Sequence, residues 1–238
     1  MSASRRILMI ASNPATSPVT GWPIGFWWAE LSHAWEVFTN AGHEVTIASP
    51  KGGDLQADGY SDPDDASGYS ASDEISRAFK ADPAKMALIQ GTPALTDLDA
   101  SDFDALFVVG GQGPMVTMID DTDLHRFIAA FYESGKVTAA VCHGSCVLLK
   151  TRLSTGDLLV TGKRWTGFAD SEERYAEEAV GQKIQPFWIE TEARKIPGTT
   201  FETAGPMEEF SIRDGNLVTG QQQTSSAAAA RDVLAALG

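Results

Sequence analysis

Cysteine is nearly absent from this chain: its 238 residues hold two, Cys142 and Cys146, four positions apart. A bridge at that spacing would close almost no loop, so no disulfide framework is expected, and the usage fits a reducing cytoplasm. Two cysteines beside one histidine, His143, are also too few for a zinc site. Long apolar runs are missing as well. None approaches the roughly 18 residues that a membrane span needs. The apolar run after Arg5-Arg6 ends at Ser12-Asn13-Pro14, too short for a signal-peptide core. Basic residues are outnumbered, 18 against 32 acidic ones, for a formal net charge of −14. A surface of that sign repels polyanions, which argues against nucleic acid as a partner.

What the chain does hold is an alternation of strand-like and helix-like segments from end to end. It predicts one α/β domain over 1–238, a doubly wound, mostly parallel sheet with helices on both faces. Arg6 to Ala11 and Glu44 to Ser49 read as strands, with an amphipathic helix from Gly25 to Ala41 between them and Gly42 as its stop. Ala105 to Val109 is a third strand, and the helix Asp121 to Ser134 leads to a fourth at Val137 to Val141. Short strands are expected near 158–160, 187–189 and 217–219, and a closing helix from Ser225 to Leu237. An insert at about 51–104 interrupts the pattern. Its first part, Lys51 to Asp73, is rich in Gly, Asp and Ser and reads as an exposed acidic loop or lid, without the spacing of a calcium loop.

The fourth strand stops at Cys142, and His143 and Gly144 follow before the apolar run Ser145 to Leu149. That is the strand-turn-helix setting of a nucleophile elbow, where a helix N-terminus is expected to favour thiolate over thiol. Strands of an open α/β sheet deliver binding residues at their carboxyl ends, so the Gly110-Gly111-Gln112-Gly113 turn should meet Cys142 at one rim. Its glycine amides suit an oxyanion hole; a dinucleotide fingerprint fails for want of the third glycine. Glu30, set among Phe26, Trp27 and Trp28, is either a solvent-facing helix glutamate or a proton partner for the thiol with a raised pKa. His43 and His125 read as surface residues. His33, one turn beyond Glu30, is core packing or pocket lining, and the same choice is open for Trp22, Trp27 and Trp28.

Several motifs in order now define a likeness: Glu30, Ser49-Pro50-Lys51-Gly52-Gly53, Gly110-Gly111-Gln112-Gly113, Ala140-Val141-Cys142-His143-Gly144 and Gly215 to Gln221. Together they resemble the ThiJ/PfpI superfamily, a branch of the class I glutamine amidotransferase-like fold, over nearly the whole chain. A glutaminase is excluded, because that reaction takes its base from a late His-x-Glu and no histidine follows His143. Within the superfamily the chain is most similar to the glyoxalase III branch, also described as stress-inducible holding chaperones. His33 three residues after Glu30, the insert after Gly53 and the segment Thr166 to Glu173 carry that similarity.

The resemblance implies a flavodoxin-like fold and a cofactor-free, cytoplasmic homodimer acting on a small carbonyl substrate, methylglyoxal or glyoxal. Cys142 would be the nucleophile, Glu30 and His143 the proton carriers, and Glu173 the partner that orients His143, with Asp170 as the alternative. Gly111 and His143 would supply the oxyanion amides. Gln112 stands where the branch has histidine, and Gly220-Gln221-Gln222-Gln223 replaces Gly-Gln-Asn-Pro. Those departures, with Trp22, Trp27 and Trp28 near Glu30, leave two rivals open: a cysteine hydrolase or hydratase, and a redox-sensing holding chaperone.

Overall fold

The apolar run Arg6–Ile10 becomes the strand around which the sheet is assembled. The computed structural model describes residues 4–238, so the first three residues of the stretch weighed as a signal peptide lie outside the described residues. β1 (Arg6–Ile10) pairs in parallel with β2 (Glu44–Ala48) on one side and β3 (Ala105–Val108) on the other. β4 (Val137–Val141) lies parallel to β3. β5 (Ser211–Asp214) and β6 (Leu217–Gly220) form an antiparallel hairpin around Gly215-Asn216, and β6 runs parallel to β4. The order is β5-β6-β4-β3-β1-β2.

Both faces of this sheet are buried, which is why its inner strands read as unbroken apolar runs rather than alternating ones. Ile7, Met9 and Phe107 face one hydrophobic cluster, and Leu8, Ile10 and Leu106 face the other. α1 (Trp28–Asn40) covers the first face through Leu31, Ala34 and Phe38, the spacing of a helical stripe. Phe38 meets Phe107 edge-on at 5.6 Å, and burying such a side chain contributes about 1.5–3 kcal/mol. The second face is covered by α3 (Thr122–Glu133), through Leu124, Ile128 and Phe131. Asp121 starts α3 by accepting from the N–H groups of Asp123 and Leu124.

Three expectations need correction. α1 begins at Trp28 rather than Gly25, because Pro23–Ile24 pairs with Ala15–Thr16 and Phe26 bridges to Ala57, holding the entry extended. Residues 158–160 and 187–189 are not strands: Leu159 and Val160 are buried within turns, and Ile189 opens a short helix, Ile189–Ala193. A short apolar run signals burial without fixing backbone shape.

The stretch 51–104 is more than an exposed loop. Lys51–Gly53 pairs with Thr92–Ala94, and α2 (Glu74–Ala81) and the short helix Pro83–Ala87 lie between them. Asp73 caps α2 on the Ser76 N–H, and Phe79 packs against Trp28 and Trp35. The exposed acids of this stretch, Asp62 and Asp64, pair with Lys80 and Arg77. α4 (Asp170–Val180) and α5 (Ser226–Leu237) complete the elements used below. Among the described residues no helix is long and apolar enough to cross a membrane.

Candidate active site

Parallel register brings Ile10, Val108 and Val141 out at one rim, and β4 ends there in a strained residue. Cys142 has φ of 53°, the left-handed region that a non-glycine residue rarely adopts. The turn is held from behind by Ser145 Oγ, which donates to the Cys142 carbonyl at 2.7 Å. The chain then continues as tight 3₁₀ turns over Cys142–Leu149.

Glu30, in the first turn of α1, is fully buried beside this sulfur. Its Oε2 accepts from the Gly110 N–H at 2.8 Å, and its buried Oε1 has no hydrogen-bond partner among the described residues. Only glycine fits at 110, because a Cβ there would lie 2.3 Å from Glu30 Oε2 and 2.9 Å from Cys142 Cβ. Burial pushes the Glu30 carboxyl up to about 8, although the neighbouring Cys142 thiol and the Gly110 N–H pull the other way. Burial, and then the neighbouring Glu30, push the Cys142 thiol well above its ordinary value. The expected helix-favoured thiolate is therefore corrected: 3₁₀ turns rather than an α-helix follow Cys142, and burial beside a carboxyl favours the protonated thiol.

His143 lies flat against Phe168, ring centroids 4.1 Å apart, with Nδ1 at 3.4 Å from Cys142 Sγ. Its Nε2 meets Glu173 Oε1 at 2.9 Å. Against an ionised Glu173, Nε2 carries the ring proton and leaves Nδ1 to accept from the thiol. Burial pushes the Glu173 carboxyl up, and His143 draws it back. Asp170 does not take this place. It accepts from Thr191 N–H and Oγ1 instead, tying α4 to the helix at Ile189.

The glycine turn after β3 is equally constrained. Gly111 has φ of 102°, and a Cβ on it would come within 2.6 Å of Gly25 O, Phe26 C and Trp27 N. Among the described residues its N–H has no hydrogen-bond acceptor. The next amide, Gln112 N–H, donates to Asp58 Oδ2 at 2.6 Å, while Gly25 N–H donates to Asp58 Oδ1 at 2.9 Å. Asp58 is fully buried, and burial pushes its carboxyl up to about 7 despite those two bonds. No sequence signal marks it. It sits in an acid-rich stretch whose other aspartates keep at least part of their surface in water, and its burial is set by the tertiary contact.

A cavity of about 440 Å³ opens above Cys142 and His143, with Trp22, Trp27, Tyr60, Tyr69, Gln112 and Glu173 among its walls. Trp28, expected at the pocket, is instead a core residue set edge-on to Phe26 at 5.0 Å, because it lies on the side of α1 that packs against Phe79 of α2. His33 is also outside the pocket, with Nε2 at 2.8 Å from Asp73 Oδ1 at the start of α2. His125, expected on the surface, is buried with Nε2 donating to the Met118 carbonyl at 3.0 Å. No three His, Cys, Asp or Glu side chains among the described residues form a group suited to a metal.

Known proteins share this architecture. Glyoxalase 3 of Candida albicans is 30% identical over 234 residues, covering 97% of each chain. Glutathione-independent glyoxalase hsp3101 of Schizosaccharomyces pombe is 28% identical over 95% of this chain and 93% of its own. The crystal structure of glyoxalase III from Candida albicans superposes with a TM-score of 0.78 at 27% identity, covering 98% of this chain and 97% of that one. The DJ-1/PfpI family profile matches residues 25–236. That match runs from just ahead of α1 into α5 and takes in every element that carries Glu30, Cys142, His143 and Glu173, so the chain belongs to the DJ-1/PfpI family.

Proposed function

We propose that this protein is a glutathione-independent glyoxalase, converting methylglyoxal or glyoxal and water into lactate or glycolate. The names of its relatives give the reaction, and the observation that carries it to this site is the fully buried Glu30 carboxyl beside Cys142, with Oε1 left without a hydrogen-bond partner among the described residues. Cys142 Sγ bonds to the aldehyde carbon as the thiol proton passes to His143 Nδ1, since Glu30 already holds its own proton. The aldehyde oxygen takes a proton in turn, completing the hemithioacetal. The hydrogen on that carbon then leaves as a proton, and the neighbouring carbon gains one through an enediol. The aldehyde carbon is thereby oxidised to a thioester and the ketone carbon reduced to an alcohol, so no outside oxidant is needed. Water cleaves the C–S bond, releasing the hydroxy acid and restoring the thiol.

Oxygen charge in these steps falls to the N–H groups of Gly111 and His143. The unpaired Gly111 N–H, and the His143 N–H next to the sulfur-bearing residue, support that role. Glu173 keeps His143 in the tautomer that faces the thiol. The reading also takes the protein as a homodimer and as cytoplasmic, the latter in keeping with two free buried cysteines. The test is lactate formation from methylglyoxal without glutathione. Cys142→Ala should lower it by about a thousandfold or more, and wild-type turnover no higher than that variant's would sink the proposal.

A further inference from the structure

We infer that the preferred substrates are bulky, uncharged 2-oxoaldehydes that carry an aromatic group where methylglyoxal carries its methyl. This rests on the glyoxalase reading above and narrows its substrate class. The first ground is size. At about 30 Å³ for each water-sized group, the five non-hydrogen atoms of methylglyoxal fill roughly 150 Å³ and the ten of phenylglyoxal roughly 300 Å³. The cavity holds about 440 Å³, so methylglyoxal leaves most of it to water against apolar walls.

The second ground is the nature of those walls. Trp22 packs on Tyr60 at 5.6 Å, Tyr60 on Tyr69 at 6.5 Å, and Tyr69 on Trp27 at 5.9 Å, a continuous aromatic side. Gln223 Nε2 donates to the Tyr69 hydroxyl at 3.1 Å, which fixes that ring across the opening. Large apolar side chains left in water are the informative ones. Tyr69 is 48% and Tyr175 56% exposed, and both border this cavity. A ring stacked or set edge-on between them would cover those faces.

The third ground is charge. Among the described residues no lysine or arginine lines the cavity, Glu173 is its acidic member, and the chain as a whole carries −14. A carboxylate or phosphate on the substrate would find no cation there. The chemistry is unchanged: phenylglyoxal and water give mandelate by the same attack on the aldehyde carbon, the same internal proton transfer and the same thioester hydrolysis.

The experiment compares kcat/KM for methylglyoxal, phenylglyoxal and 4-carboxyphenylglyoxal on the purified full chain without glutathione. Each value is normalised to the aldehyde's reaction with a small free thiol. Phenylglyoxal should exceed methylglyoxal by about tenfold or more, and the added carboxylate should lose about tenfold of that. Tyr69→Ala and Trp22→Ala, with melting temperatures checked, should draw the phenyl-to-methyl ratio toward one. Methylglyoxal turned over as well as or better than phenylglyoxal, or a ratio unmoved in both variants, would overturn the inference while leaving the glyoxalase reading standing. Turnover of neither aldehyde would overturn both.

Discussion

Glu30 shows how much one buried carboxyl controls. Its folded pKa of about 8 stands above the ordinary 4.5, so the folded chain keeps a proton that the unfolded chain releases. Stability from this group is therefore highest below pH 4.5, falls as pH rises through the window up to 8, and is level above it. Glu30→Gln should flatten that fall and exceed wild type at pH 8 by roughly 3–5 kcal/mol in urea unfolding, while losing turnover. A variant no more stable than wild type at pH 8 would remove Glu30 as the proton holder. At this scale motifs named Cys142, His143, Glu30 and Glu173, and the structure brings those four together. They left His33 and Trp28 open between core and pocket, because which side of α1 meets the sheet and which meets α2 depends on elements distant in the chain.

Elements near the site act as clamps. The stretch entering at Lys51 was legible only as acidic and glycine-rich, yet it delivers Asp58 beneath the glycine turn and Tyr60 and Tyr69 to the cavity wall. Asp58→Ala would leave the Gly25 and Gln112 N–H groups buried without acceptors, each worth about 1–3 kcal/mol. We expect a loss of roughly 2–5 kcal/mol in unfolding free energy, with a lower kcat/KM as the oxyanion turn loosens. Unchanged stability would show that water or the backbone satisfies those amides instead. The missed elements share a cause. Leu159, Val160 and Ile189 are apolar because they belong to a buried core cluster, and the turns and helix start around them bend the chain away from strand geometry.

Over the whole molecule, charge sets the terms of association. Two copies each carrying −14 repel, and salt screens that repulsion with a Debye length of about 10 Å at 0.1 M. Light scattering should give a mass near twice 25.4 kDa at about 0.3 M salt, drifting toward the monomer as salt is removed. A monomer mass at both extremes would end the homodimer proposal. The doubly wound sheet was readable from the chain, since strands buried on both faces must be continuous apolar runs and their covering helices must repeat at 3.6 residues. The elbow was readable too, because a strand ending in Cys-His-Gly is a local pattern. Register, burial and the approach of α1 to β3 and β4 were not: they join residues some eighty to a hundred positions apart. That folding contact is what shifts the Glu30 and Cys142 pKa values, buries Asp58 and sizes the cavity, because desolvation is a property of the surrounding packing and not of the residue itself.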